Sequence, residues 1–417
     1  MSIRKRRWMS GGVTKSSWVV DYRDGEGQRR LKTFDKQKDA KAWASKTDVS
    51  IDQGTHVPDR VTVTVATAGE SWLATCRANG LERATIDSYR SHLRYHLIPL
   101  IGQTLLSKIT VPFVRGFEDR LRAGGRSPEM VKRVVGSLGA IIANAQELGW
   151  AAHNPVRDMR SRRNGKERRQ EQRHKRKLEI GRDIPTTAEI KAFLGVLEGR
   201  WRPFFMTAAF CGLRASELRG LSWSALDLDK RELRIKQRAD KYNVIGSPKS
   251  QQGWRTLPIP STLAQVLREW RLICPKGVTG QLDDAGVPIK ELHYVFPNGA
   301  GNIESHGNIR NRGQVPAMLK AGVSVCATKK GYPTMTELVA KYRGLHAFRH
   351  WFASWCINPV SAGGMGLTLK EVQVRMGHAS ITMTADRYGH LFPRGNIAAE
   401  VDAAERALLG SPDLDAT

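Results

Sequence analysis

Between Arg160 and Lys177 the chain reads RSRRNGKERRQEQRHKRK, eighteen residues of which ten are Lys or Arg and none is apolar. Such a stretch has nothing to bury and cannot thread a hydrophobic core. It therefore separates what folds before it from what folds after it. Read alone, it is a solvated linker, extended or weakly helical until bound. Its charge equally suits it to lie along a polyanion, and the two readings are compatible.

A chain of 417 residues also exceeds one ordinary core, which predicts two or three domains. The excess of positive charge is not confined to the linker. Lys and Arg number 67 against 40 Asp and Glu, a formal +27. A surface of that sign attracts nucleic acid before other partners. The five cysteines (76, 211, 274, 326 and 356) show no C-x-x-C spacing. That pattern argues against a zinc module or a disulfide framework and fits a reducing cytoplasm. No apolar run approaches a membrane span. The opening MSIRKRRWMSGG is basic but has no apolar region behind it, unlike a secretory signal.

The predicted fold class is mainly α with small β-sheets, an α+β chain. Residues 1–60 read as a small ββ(β)α domain. SWVVDYRDGEGQRRLKTF gives two strands about a turn at Asp24 to Gly27, and a helix follows with Ala40, Trp43 and Ala44 on one face. Arg29, Arg30 and Lys32 are its candidate DNA contacts. Residues 61–160 read as a helical domain. Ile86, Tyr89, Leu93 and Leu97 share helical spacing, as do Val114, Phe117 and Leu121. Ser127-Pro128 is a start signal, Ser as cap and Pro in the first turn. Arg126, Lys132 and Arg133 lie off the apolar face and are candidate phosphate contacts, and Asn154-Pro155 reads as the end of the bundle. The linker is placed at 161–182, with Arg162, Arg163, Arg168 and Arg169 as candidate contacts. The third domain, 183–417, mixes helices and short strands. Thr186 with Glu189 resembles a capping box. Helices are expected at Leu263 to Ile273, at Thr336 to Tyr342, from near Leu345, and from Asn396 to Leu409. The stretch 282–330 carries little periodicity.

Four clusters in this third domain carry chemistry. CGLRASELRGLSW sets Arg214 at the mouth of a helix, with Glu217 one turn on. SPKSQQGWRTLPIP sets Lys249 and Arg255 about a turn at Gly253. LHAFRHWFASW sets His346, Arg349 and His350 on one helical face, with Phe348 and Phe352 turned to the core. MGHASITMTADRYGHLF sets Tyr388 between His378 and His390. Singly, each is commonplace. Together they can act on a phosphodiester without a metal. Two guanidiniums match the non-bridging phosphate oxygens and stabilise the charge on a pentacoordinate phosphorus. A lysine can protonate the leaving 5′-oxygen, and histidines can move the remaining protons. A tyrosine, which titrates near ~10 when unperturbed, can attack if the phosphate is prepared for it.

In this order the clusters resemble the tyrosine recombinase family, more closely its phage-type integrases. GLRASELRGLSW resembles the family's first arginine box, PKSQQGWRTLPIP its lysine hairpin and LHAFRHWFAS its His-x-x-Arg box. MGHASITMTADRYGHLF is similar to its closing motif, with Met376 in the usual leucine place. The likeness covers nearly the whole chain. It implies a catalytic set of Arg214, Lys249, His346, Arg349 and His378, with Tyr388 as nucleophile forming a covalent 3′-phosphotyrosine. Glu217, His350 and His390 would support that set. It further implies an arm-type DNA-binding domain, a helical core-binding domain and a mixed α/β catalytic domain.

The implied partners are double-stranded attachment-site DNA, three further copies of the chain on that DNA, and accessory bending or directionality proteins. No metal or cofactor and no membrane are expected, and the location is the bacterial cytoplasm or nucleoid. Through Ile397, Val401, Ala404 and Leu408 the last helix would dock on a neighbouring protomer or pack on its own domain. The function expected is site-specific recombination that integrates, and in reverse excises, a mobile element or prophage. The alternatives on the same fold are a DNA-binding regulator and a type IB topoisomerase. The filled six-residue set stands against the first; the arm-like N-terminus and basic linker stand against the second.

Overall fold

The computed structural model describes residues 1–25, 27–52, 58, 62–161, 177–328, 336–393 and 397–409. Arg162, Arg163, Arg168 and Arg169, and with them most of the basic linker, lie outside the described residues. The chain divides into two compact units, Met1–His174 and Lys175–Thr417.

The first unit opens with an antiparallel sheet of β1 (Ser2–Ser10), β2 (Val13–Arg23) and β3 (Arg29–Phe34), in that order. Gly11 and Gly12, both at positive φ, make the two-residue turn between β1 and β2. Helix α1 (Gln37–Asp52) buries Ala40 and Ala44 against Val20, with Trp18, Phe34 and Trp43 packed at the margin. The Trp43 ring meets Tyr22 edge-on at 5.1 Å.

The same unit continues as a helical bundle. It comprises α2 (Val65–Ala78), α3 (Arg83–His92), a π-helical turn (Leu93–Leu97), α4 (Ile98–Ile101), α5 (Val111–Ala123), α6 (Pro128–Glu147) and α7 (Pro155–Ser161). Ser127 caps α6 by accepting the Met130 amide, and Thr110 caps α5 by accepting that of Phe113. The apolar stripes close on Leu73, Phe117, Leu138 and Ile141, all buried. Asn154-Pro155 does not end the bundle. Asn154 is buried, donates to the Gly139 carbonyl at 2.8 Å and accepts from the Val156 amide at 3.2 Å. Proline then opens α7, and Val156 packs beneath α6.

The second unit starts with α8 (Thr187–Gly195), whose capping box joins Thr186 and Glu189. Next come α9 (Trp201–Cys211), the five-residue α10 (Ala215–Arg219), β4 (Leu226–Asp227) and β5 (Glu232–Ile235). A hairpin of β6 (Arg238–Ala239) and β7 (Ile245–Gly246) precedes β8 (Arg255–Pro258), which completes a β4–β5–β8 antiparallel sheet. Helix α11 (Ser261–Ile273) covers the core and is followed by a second hairpin, β9 (Gly277–Leu282) and β10 (Pro288–Glu291). Farther on lie α12 (Val315–Lys320), β11 (Ser324–Thr328) and β12 (Thr336–Ala340). The unit ends with α13 (His346–Ile357), α14 (Leu369–Met376), α15 (Ile381–Tyr388) and α16 (Ile397–Leu409).

Phe193, Phe204, Phe205 and Phe348 form the aromatic centre, with ring centroids 5.0 to 5.5 Å apart. The helix expected at Thr336 to Tyr342 is instead strand β12, paired in register with β11. Ala340 and Tyr342 are buried while Lys341 between them is not, a period of two. In α16, Val401, Leu408 and Leu409 stand exposed, so the structure does not pack them on their own domain. Among the described residues, no helix is long and apolar enough to cross a membrane.

Candidate active site

Two helix ends build the site. Helix α9 stops at Gly212, whose φ of +58° is left-handed. A Cβ there would lie 2.2 Å from the Phe352 ring, so only glycine lets the end of α9 sit against α13. The Gly212 carbonyl, freed by this turn, accepts from Arg349 Nη1 at 2.7 Å. Helix α14 stops in the same way at Gly377, φ +60°. A Cβ there would meet the Arg255 guanidinium at 2.7 Å and the Gln252 carbonyl at 2.9 Å. The Met376 carbonyl accepts from Arg349 Nη2, and that of Gly377 accepts from Arg214 Nη2 at 2.9 Å. Both arginines are thereby tied to one turn, Met376–His378.

Glu217 sits beneath them, 2% exposed, and holds two arginines at once. One oxygen accepts from Arg214 Nη1 at 2.8 Å; the other accepts from Arg255 Nη2 at 2.9 Å and from the Arg214 amide at 2.9 Å. Burial pushes this carboxyl up, but Arg255 and then Arg214 outweigh it and hold it near about 2. Arg255 is itself buried and also donates to the carbonyls of Arg375 and Gly253.

Tyr388 ends α15 and is 1% exposed. Its hydroxyl bonds His350 Nδ1 at 2.7 Å, and its ring lies parallel to that of His378, 6.2 Å away. Thr384, one turn earlier on α15, fixes His378 through Nδ1 at 2.9 Å. His346 stacks edge-on against His350, with centroids 4.6 Å apart, and is the exposed member of the group.

Burial first, and then the guanidinium charges of Arg349, Arg214 and Arg387, bring His378 down to about 3. Burial, His346, Arg387 and Arg349 do the same to His350, also about 3. His346 falls to about 4 through crowding by protein and then through Arg349, Arg387 and Arg214; because it is exposed, solvent screens part of that effect. Burial raises Tyr388 to about 12, against the pull of Arg349 and Arg387. Arg349 is penalised by burial and by Arg214, yet a guanidinium keeps its proton. At neutral pH the recess therefore holds neutral imidazoles, a protonated tyrosine and clustered guanidiniums. An incoming anion would offset the mutual repulsion of the guanidiniums and raise the depressed imidazoles.

Of the residues singled out from the sequence, Arg214, Glu217, His346, Arg349, His350, His378 and Tyr388 are brought together. Lys249 is not. It stands exposed on the loop after β7 and makes no hydrogen bond or ion pair among the described residues. His390 is turned to the Leu178 carbonyl at 2.7 Å. In the first unit Arg29 is paired with Asp21 at 2.5 Å and Arg30 with Asp24 at 2.8 Å, and Lys32 lies 4.8 Å over the Trp43 ring. Arg126, Lys132 and Arg133 are exposed. Three contributors escaped the sequence reading as site residues. Arg255 was seen only as a turn marker, although its place two residues past Gly253 was the available signal. Thr384 had none beyond its type, and Arg387 only its position beside Tyr388.

A cationic recess that keeps a tyrosine protonated beside imidazoles suits an enzyme acting on an anionic ester. Comparison with known proteins makes this specific. The model described as the phage integrase family matches residues 186–394, a span holding every residue of the recess, and the chain belongs to that family. It is a tyrosine-type site-specific recombinase, an enzyme that breaks and rejoins DNA strands. A tyrosine recombinase XerC-like protein of Caldanaerobacter subterraneus is 26% identical over 398 residues, 89% of this chain and 91% of that protein. The integrase of Mycobacterium phage D29 is 22% identical, over 92% of this chain and 93% of its own. The fold is that of the Tn1549 transposon integrase solved with a circular intermediate DNA (TM-score 0.59, 19% identity, 82% of this chain and 99% of that one). It also resembles a lambda integrase tetramer bound to a Holliday junction (TM-score 0.51, 17% identity, 89% and 92% of the two chains).

Proposed function

We propose that this recombinase integrates, and in reverse excises, a mobile element, and that the recess around Met376–His378 is where it cuts DNA. Arg214, Arg349, His346 and His378 hold the scissile phosphate. Tyr388 Oη attacks phosphorus in line, forming a 3′-phosphotyrosine as the bond to the 5′-oxygen breaks. The tyrosine proton leaves along the hydrogen bond to His350 Nδ1. Lys249, carried to the DNA on its exposed loop, protonates the departing 5′-oxygen. The reverse sequence, with a 5′-hydroxyl from the partner strand, reseals the DNA without an external energy source. Glu217 supports this by holding Arg214, and His390 by bracing the chain beyond Tyr388. The observation that carries the reading is the convergence of both guanidiniums on one turn, whose His378 ring stacks on that of Tyr388.

The remaining parts divide the binding. Residues 1–60 form the arm-type domain, with Arg29, Arg30 and Lys32 toward DNA. Residues 61–160 grip the core site through Arg126, Lys132 and Arg133. The linker at 161–182 lies along the backbone with Arg162, Arg163, Arg168 and Arg169. Residues 183–417 catalyse. Four protomers act together, each docking the exposed apolar side of α16 on a neighbour, and they work in the bacterial cytoplasm or nucleoid with accessory bending proteins.

Plasmids carrying the two junctions that flank this gene in its element test the reading. The full chain should yield recombinant product, and Arg349→Ala should lower it by about 100-fold or more, the scale of a lost transition-state donor. Supercoil relaxation without recombinant would overturn it in favour of a topoisomerase. Binding should also weaken steeply from 50 to 200 mM salt, by ~10³-fold or more if about six phosphates are contacted. A gel-shift series reads this directly, and a flat response would contradict backbone-led binding.

A further inference from the structure

Helix α10 does more than carry Arg214 and Glu217. Its last residue, Arg219, is 4% exposed, an unusual place for a guanidinium. It reaches three acceptors on two separate segments. Nε donates to the Glu304 carbonyl at 2.7 Å, Nη1 to the Asp240 carbonyl at 2.8 Å, and Nη2 to Asn243 Oδ1. Asp240 and Asn243 make the turn between β6 and β7. That turn is otherwise closed by the Asp240 amide to the Val244 carbonyl and by two amides on Asp240 Oδ1, those of Tyr242 and Val244. Asn243 adopts a φ of +64°, which asparagine tolerates better than most residues. The end of α10 is pressed against the same hairpin. A Cβ on Gly220 would lie 2.6 Å from the Ala239 amide nitrogen, and the Gly220 carbonyl accepts from Gln237 Nε2 at 2.7 Å.

The loop 247–254 that carries Lys249 runs from this hairpin to β8. Its far end is held by Arg255 on Glu217. Its near end follows β7 directly, with Arg238 Nε on the Ser247 carbonyl at 3.0 Å. Both ends of the lysine loop are therefore fastened to one five-residue helix, through Glu217 at one end and Arg219 at the other. We infer that Arg219 is a positioning residue for proton delivery: by gripping the β6–β7 turn it sets where Lys249 meets the leaving 5′-oxygen, while Arg214 at the N-cap of the same helix sets the phosphate. The helix thus registers acid and phosphate against each other. This rests on the reading of Lys249 as the acid.

Single-turnover cleavage by the full chain tests it, on a nicked duplex spanning the attachment junction beside its own gene. Two forms of the duplex are compared, one with the natural scissile phosphate and one with sulfur in place of the bridging 5′-oxygen. A thiolate leaves without being protonated, so the sulfur substrate makes the acid dispensable while still requiring Tyr388 and both site arginines. Arg219→Met should cleave the natural duplex about 100-fold more slowly, the scale of a misplaced catalytic group. On the sulfur duplex it should come within about threefold of the unaltered chain, because the lost acid step no longer matters. Asn243→Gly keeps the left-handed turn and removes only the side-chain acceptor. It should show the same pattern with a smaller drop, and it carries the test if Arg219→Met fails to fold. Equal slowing on both duplexes, or no slowing on the natural one, overturns the inference. Lys249→Ala is the reference: if sulfur does not rescue it, the acid assignment itself is wrong, whatever Arg219 does.

Discussion

Tyr388→Phe should bind attachment-site DNA as tightly as the unaltered chain and form no covalent complex on a nicked duplex that traps the cleaved state. The phenyl ring fills the same buried space between His350 and His378, so the fold keeps its packing. What is lost is one oxygen and its bond to His350 Nδ1. Leaving that buried nitrogen without a partner costs about 1–3 kcal/mol, which a domain of this size can absorb. Cleavage should fall by ~10⁴-fold or more, as expected when a nucleophile is removed from a site that is otherwise whole. Gel separation of protein-linked DNA under denaturing conditions reads the outcome. A persisting covalent band would place the nucleophile elsewhere in the chain.

The second large effect concerns Glu217. Glu217→Gln should destabilise the second unit by about 3–5 kcal/mol, the usual result of breaking a buried ion pair from one side. Arg214 and Arg255 would then face each other across a neutral amide, with no negative charge between them. The same carboxylate predicts an acid limb. Its folded value of about 2 lies below its ordinary value of 4.5, so the stability it contributes is present above that ordinary value and lost as pH falls toward 2. The buried imidazoles act earlier. Their folded values near 3 lie below the ordinary imidazole value of 6.5, so protonation favours the unfolded chain from there downward. Thermal melts should show stability falling below about pH 6.5 and falling faster still below about 4.5. The Gln variant should lose that added steepness. Equal acid limbs in both proteins would show that Glu217 is not the carboxylate responsible.

The helical bundle and the four chemical clusters were legible because each is local. Ser127-Pro128 and the stripe ending at Leu121 announce their helices within a few residues. Thr336 to Tyr342 was misread because TELVAKY has adjacent apolar residues and too few turns to distinguish the two periods. Its strand identity depends on a partner, Ser324–Thr328, within the least periodic part of the chain. Asn154-Pro155 is ambiguous for a similar reason: proline both ends one helix and opens another, and only the socket under Gly139 decides. In the site, residue types were readable but their coupling was not. Nothing in the sequence connects Arg255 to Glu217 or Arg219 to Asn243, because those bonds close over loops whose path only the fold determines.

The burial of Tyr388 bears on how such a chain lives beside a genome. With a net charge of +27 it will settle on DNA of almost any sequence. Tyr388 is sealed to 1% exposure and kept protonated. If Tyr388 is the nucleophile, occupancy and damage are uncoupled, and the chain can search a chromosome without scarring it. Specificity then rests on whatever opens the recess, more than on how tightly the protein holds any one site.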